Sequence, residues 1–121
     1  MSCIKGIGCD MVDVARIERL LQQSRFLQKV YTPYEQAVIS AKSAHTAAGL
    51  WAAKEAVSKA LGTGFRGFSL RDIEICQKES GQPFVKLHGS AASILAAIGA
   101  QTIHLSITHE RDRAMAFAIA E

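Results

Sequence analysis

The spacing of apolar residues changes repeatedly along the chain, and each change predicts a new element. Residues 2–9 read as a buried strand opened at Gly6 and Gly8, with Asp10 closing it. From Asp13 the period lengthens. Val14, Ile17, Leu20 and Leu21 form one stripe and leave Arg16, Arg19 and Gln23 outward, the signature of an amphipathic helix. Asp13 stands where a side-chain oxygen can accept the free amides of the first turn. Thr32-Pro33-Tyr34-Glu35 is a capping box with proline at the first helical position, so a second helix starts there.

A third helix is predicted from about Thr46 to Leu61, with Gly62 as its left-handed C-terminal cap. Leu50, Ala53, Val57, Ala60 and Leu61 belong to its core side, while Trp51, Glu55 and Lys59 recur every four residues on another stripe. Ile73 and Ile75 alternate with polar residues, Ser80-Gly81 turns the chain, and Phe84, Val85 and Leu87 continue a second strand. Ser90 is placed to cap a short alanine-rich helix ending at Gly99. Two further strands, Thr102 to Ile107 and Ala114 to Ala120, flank a polar turn at residues 109–112. The pattern is that of a single α+β domain over residues 1–121, with helices on a small, mostly antiparallel sheet.

Composition narrows the classes. Of the 121 residues 49% are hydrophobic and only two are proline, enough to fill a core and too apolar for disorder. No apolar run approaches a membrane span and no signal-peptide pattern opens the chain. Cys3, Cys9 and Cys76 are odd in number and lack metal-site spacing, which fits a reducing cytoplasm. A net charge of +3 gives no argument for nucleic acid. Its distribution is more informative. Arg16, Arg19, Arg25 and Lys29 face only Glu18 between residues 16 and 29, either a solvated helix face or a docking surface for an acidic protein.

Two carboxylates stand out as candidate chemistry. Asp10 ends an apolar strand and must be paired, hydrogen-bonded or metal-bound at the core's edge. Glu55 lies between Lys54 and Lys59, and its spacing to Lys59 equally fits a surface ion pair worth about 0.3–0.5 kcal/mol. Together, beside lysines, the two carboxylates point to a divalent cation holding a phosphorylated ligand. Gly6-x-Gly8 is no dinucleotide fingerprint, because Met11 occupies the third glycine position. Gly62-Thr63-Gly64 follows a helix C-terminus, whose partial negative charge repels phosphate unless Lys59, Lys54, Arg66 and a cation outweigh it. His109 lies at a strand end beside Glu110. His45, His88 and His104 read as structural, and Cys9 as a buried strand thiol. Ser106 and His109 lack the third member and oxyanion motif of a nucleophilic triad.

Gly6-Ile7-Gly8-Cys9-Asp10 with Arg16-Ile17, and Trp51-Ala52-Ala53-Lys54-Glu55-Ala56 through Lys59-Ala60-Leu61-Gly62-Thr63-Gly64, resemble the two signatures of the holo-acyl-carrier-protein synthases. These are small bacterial 4′-phosphopantetheinyl transferases. Phe26 to Glu35, Gly81-Gln82-Pro83 and Ser106 to Glu110 extend the resemblance over essentially the whole chain. It implies transfer of the 4′-phosphopantetheine arm of coenzyme A to a serine of apo-acyl carrier protein, for fatty-acid synthesis. It further implies Mg²⁺ on Asp10 and Glu55, phosphate on Lys59, and a pocket shaped by Lys54, Gly62, Thr63 and Gly64. His109 would meet the nucleotide end, and Arg16, Arg19 and Arg25 the acidic helix of the carrier protein. Glu55 or a metal-bound water would be the base. The family's homotrimer would place each site between subunits. Leu50 stands where the family commonly has arginine, and residues 40–48 are short and rich in small side chains. The competing readings are a relative serving secondary-metabolism carrier domains, and a non-catalytic basic module binding an acidic protein.

Overall fold

The computed structural model describes residues 2–62 and 67–121. Its order is β1 (Gly6–Asp13), α1 (Val14–Leu20), α2 (Ser24–Val30), α3 (Pro33–Ala41), α4 (Ala44–Ala60), β2 (Ile73–Gln77), β3 (Pro83–Leu87), α5 (Gly89–Ala97), β4 (Ile103–His109) and β5 (Arg113–Ala120). A short 3-10 turn, Leu70–Asp72, precedes β2. Among the described residues the strands form two antiparallel sheets, β1-β5-β4 and β2-β3, as an α+β reading requires.

Small residues explain how α4 lies so close to the larger sheet. On β5, Ala114, Ala116, Ala118 and Ala120 alternate inward and are all buried, as are Ala52, Ala56 and Ala60 at four-residue spacing on α4. On β1 the approach is closer still. A Cβ on Gly6 would sit 1.9 Å from the Ala60 carbonyl oxygen, and one on Gly8 2.0 Å from that of Ala56. The two glycines therefore serve contact between strand and helix, and packing density leaves no room for a methyl group there. Larger side chains fill the remainder: Ile17, Leu61 and Ile73 are fully buried, each stabilising the fold by about 1.5–3 kcal/mol.

The helix signals hold where chemistry dictates them. Thr32 Oγ1 accepts the Glu35 N–H at 3.2 Å and Glu35 Oε1 accepts the Thr32 N–H at 2.8 Å, so the capping box forms in full with Pro33 opening α3. α4 ends at Ala60 with Leu61 as its C-cap, and Gly62 follows with φ +83°, the left-handed conformation expected there.

Four local expectations are corrected. β1 runs through Asp10 to Asp13 rather than stopping at residue 9, because pairing with β5 continues to Arg113. It is also open on one face, where Ile7, Cys9 and Met11 are exposed, so Cys9 is not a buried thiol. Asp13 occupies the N-cap of α1 without a side-chain capping bond, its carboxylate lying 3.7 Å from Arg113. His88, not Ser90, is the N-cap of α5. Residues 24–30 form a helix of their own, α2, which buries Val30 and brings the Phe26 ring centroid to 5.7 Å from that of Trp51.

Candidate active site

Asp10 and Gly8 are two residues apart on β1 and therefore share its inner face. The close packing at Gly8 carries Asp10 up to the outer end of α4. Lys59 turns to that strand rather than to Glu55: its Nζ donates to the Cys9 carbonyl at 2.9 Å and to Asp10 Oδ1 at 3.3 Å. The ordinary helix-surface pair with Glu55 is thereby replaced by a contact across some fifty residues of chain.

Glu55 is left half-buried and crowded. Burial, and then the negative charge of Asp10, raise its pKa above the usual carboxylate range, while Lys59 and Arg16 pull it back. Arg16 lies over the Trp51 ring at 5.8 Å, so α1 contributes a cation to the same corner. Asp10 and Glu55 are thus like charges held near one another, with Lys59 and Arg16 offsetting them in part. Among the described residues no group of three His, Cys, Asp or Glu side chains is placed to hold a metal. Two carboxylates are nevertheless the donor set suited to Mg²⁺, which keeps several waters and takes its remaining oxygens from substrate phosphate. The residues present fit that ion.

Lys54 is not brought to this cluster. It is fully buried, with Nζ 2.7 Å from Glu35 Oε1 and its other donors on the carbonyls of Leu70, 3.0 Å, and Ile73, 2.5 Å. The expected contact with a phosphorylated ligand is corrected accordingly, since all three ammonium hydrogens are taken inside the core. Gly62 is exposed at the end of α4. Thr63, Gly64 and Arg66 lie outside the described residues.

His109 ends β4 and lines a cavity of about 270 Å³ walled by α3, the start of α4, the β2–β3 hairpin and β4. None of Asp10, Glu55 and Lys59 lines it. His45, expected to be structural, joins it there. The two imidazole centroids are 5.8 Å apart, and His45 Nε2 donates to the Arg111 carbonyl at 2.7 Å. Sequence spacing gave no sign of this meeting, because α4 and β4 are brought together only by the fold. Leu50 is buried on the same wall. Arg19 on α1 and Arg25 on α2 are exposed, as is Arg16, so the basic stretch presents its charge outward.

An α+β domain with a helix laid on an alanine-lined sheet, and an acidic pair beside a lysine at their junction, is a scaffold for handling a phosphorylated ligand. Residues 6–118 match the 4′-phosphopantetheinyl transferase superfamily. Holo-acyl-carrier-protein synthases of Clostridium acetobutylicum and Halothermothrix orenii are 43% and 45% identical to the chain, with 98% of each partner covered in both comparisons. The solved synthase of Neisseria meningitidis superposes with a TM-score of 0.91 at 35% identity, over 98% of this chain and 99% of its own. That of Helicobacter pylori, solved with coenzyme A, gives 0.85 at 30%, over 95% and 99%. The chain belongs to the 4′-phosphopantetheinyl transferase superfamily, within its holo-acyl-carrier-protein synthase family.

Proposed function

We propose that this protein transfers 4′-phosphopantetheine from coenzyme A to a serine of apo-acyl carrier protein, releasing adenosine 3′,5′-bisphosphate, in fatty-acid synthesis. The observation that carries the assignment is the half-buried, like-charged pair Asp10 and Glu55 beside Lys59, in a chain of this family. Asp10 and Glu55 would hold Mg²⁺. When bound, that ion supplies Lewis-acid stabilisation of the charge that develops on the phosphoryl oxygens. Lys59, half-exposed and already at the cluster's edge, adds a second positive charge for the leaving pyrophosphate oxygen. The base for the serine proton would be Glu55 or a metal-bound water. Arg16, Arg19 and Arg25 receive the acidic face of the carrier protein.

The cavity beside His109 receives the nucleotide end of coenzyme A. Its separation from the carboxylates within one chain supports a site shared between subunits of a homotrimer. So does the open face of β1 and β5, where Ile7, Met11, Met115 and Phe117 are 60%, 57%, 42% and 41% exposed on neighbouring strands. An apolar patch of that kind is a surface for association. Exposed, unpaired Cys3 and Cys9 accord with a cytoplasmic setting, and no described helix is long and apolar enough to cross a membrane.

Mass spectrometry of apo-acyl carrier protein incubated with this protein, coenzyme A and Mg²⁺ tests the reading. The expected result is a phosphopantetheine-sized gain that EDTA abolishes and excess Mg²⁺ restores. A folded protein that modifies neither a fatty-acid carrier protein nor a secondary-metabolism carrier domain sinks it, leaving a binding module. Modification of the latter alone reassigns the pathway.

A further inference from the structure

Glu35 and Lys54 form a fully buried ion pair that the proposed reaction does not use. Apart from the local cap at Thr32, the bonds they make join separate parts of the chain. Glu35 Oε1 accepts from Thr32 N–H and from Lys54, and Oε2 accepts the Ile75 N–H at 2.7 Å. Lys54 adds the carbonyls of Leu70 and Ile73. The pair therefore ties α3, α4 and the start of β2 at one point.

Those elements are three of the walls of the cavity beside His109. Tyr34 and Val38 come from α3, Gly49 and Leu50 from α4, Ile75 and Cys76 from β2. Ile75 is both a cavity residue and the residue whose amide Glu35 holds. An apolar filling of the same volume is often as stable as a buried ion pair, so stability alone gives little reason for charge here. What charge supplies is direction. Fixed donor and acceptor geometry holds three elements at one spacing, where apolar packing would tolerate small slides.

We infer that Glu35 and Lys54 are positioning residues that set the width of this cavity, and through it the affinity for the nucleotide end of coenzyme A, without touching the ligand. The ligand's identity rests on the function proposed above; the geometry of the cavity does not. Cys76 provides a direct gauge. It is buried on the cavity wall, whereas Cys3 and Cys9 are exposed and can be replaced by serine.

The test uses the full chain in a Cys3→Ser/Cys9→Ser background, with Glu35→Gln/Lys54→Met removing both charges together. Circular dichroism reports the fold, and reaction of Cys76 with a thiol reagent reports the cavity. Transfer kinetics then separate KM from kcat. The expected result is a native spectrum, Cys76 reacting about tenfold faster, and KM for coenzyme A up by about tenfold with kcat within about twofold. A merely structural pair would lower the melting temperature and leave that split unmoved. A folded variant with Cys76 as protected and KM as low as in the parent overturns the inference. If the double variant does not fold, Glu35→Gln alone, which keeps the ammonium on its two carbonyls, must shift both readouts in the same direction or the inference falls. A parent without transferase activity defeats the proposed function instead, and Cys76 reactivity still decides the positioning role.

Discussion

Lys54 and Glu55 are consecutive on α4, yet their surroundings are opposite. Lys54 is sealed in the core with every hydrogen donated, and Glu35 supplies the countercharge. Glu55 is half-open, its nearest acidic neighbour repels it, and the lysine four residues on has turned away to Asp10. One step along a helix rotates a side chain by about 100°, enough to separate a finished interaction from an unfinished one. The contrast teaches how to read charge in this fold: the buried pair ties the frame together, whereas the half-buried carboxylates are crowded together at its edge.

The comparison breaks most severely at Lys54. Lys54→Met leaves Glu35 buried without its partner, and removing one member of a buried pair costs about 3–5 kcal/mol. Urea unfolding should show that loss as a lower midpoint with an unchanged slope. A loss below about 1 kcal/mol would mean that the pair is dispensable to the frame. Asp10→Asn and Glu55→Gln should behave the other way round. Glu55 has a folded pKa raised above its unfolded value, so its ionised form opposes folding at neutral pH, and removing the charge leaves stability equal or slightly higher. Transfer should nevertheless fall by about two to three orders of magnitude, the scale on which a group stabilising developing charge is lost. Retained transfer in both variants would remove the acidic pair from the mechanism.

The outward arginines sharpen the comparison from a third side, because their charge is neither sealed nor crowded. Arg16→Glu should raise KM for the carrier protein by about tenfold, mainly through slower association, and leave coenzyme A binding nearly unchanged. Arg16 also sits over Trp51 and near Glu55, so calorimetric titration with coenzyme A is the control. Equal weakening of both ligands would assign Arg16 to the site rather than to docking.

Legibility in the sequence followed the range of the interaction. The capping box, the Gly62 cap, the core stripe of α4 and the strands on either side of residues 109–112 depend on neighbours within a few positions, and all are found. Asp10 and Glu55 stand out in the sequence as a strand-end carboxylate and one set between lysines, and the resemblance of their flanking residues to a known family sharpens that reading. The α4 motif holds two lysines, and only the fold decides that Lys54 faces inward and Lys59 outward. Glu35 was seen as a cap, but its second oxygen reaches Ile75, forty residues away, and no local pattern announces that. His45 and His109, sixty-four positions apart, meet for the same reason. In β1, Gly6 and Gly8 admit the close approach of Ala60 and Ala56, which no pattern within the strand itself announces.

Glu74 offers the mildest intervention and a sign that can be fixed in advance. It joins the frame at one remove from Glu35: Oε2 accepts from Thr32 Oγ1 at 2.6 Å, and Oε1 lies 3.1 Å from His88 Nε2. The Thr32 hydrogen bond, followed by His88, holds its pKa below the usual carboxylate value, against the opposing effect of burial. A carboxylate whose folded pKa is depressed contributes stability that is present above its unfolded pKa of about 4.3 and is lost as pH falls through the folded value. Glu74→Gln should therefore cost about 1 kcal/mol at pH 7, the worth of a typical hydrogen bond. Parent and variant should converge as the pH is taken well below 4. Urea midpoints measured at pH 7, 4.5 and 3 check the trend. A gap that stays constant across that range would mean that the Glu74 contacts act through packing, and that the carboxylates bracing Thr32 carry no pH-dependent share of the frame's stability.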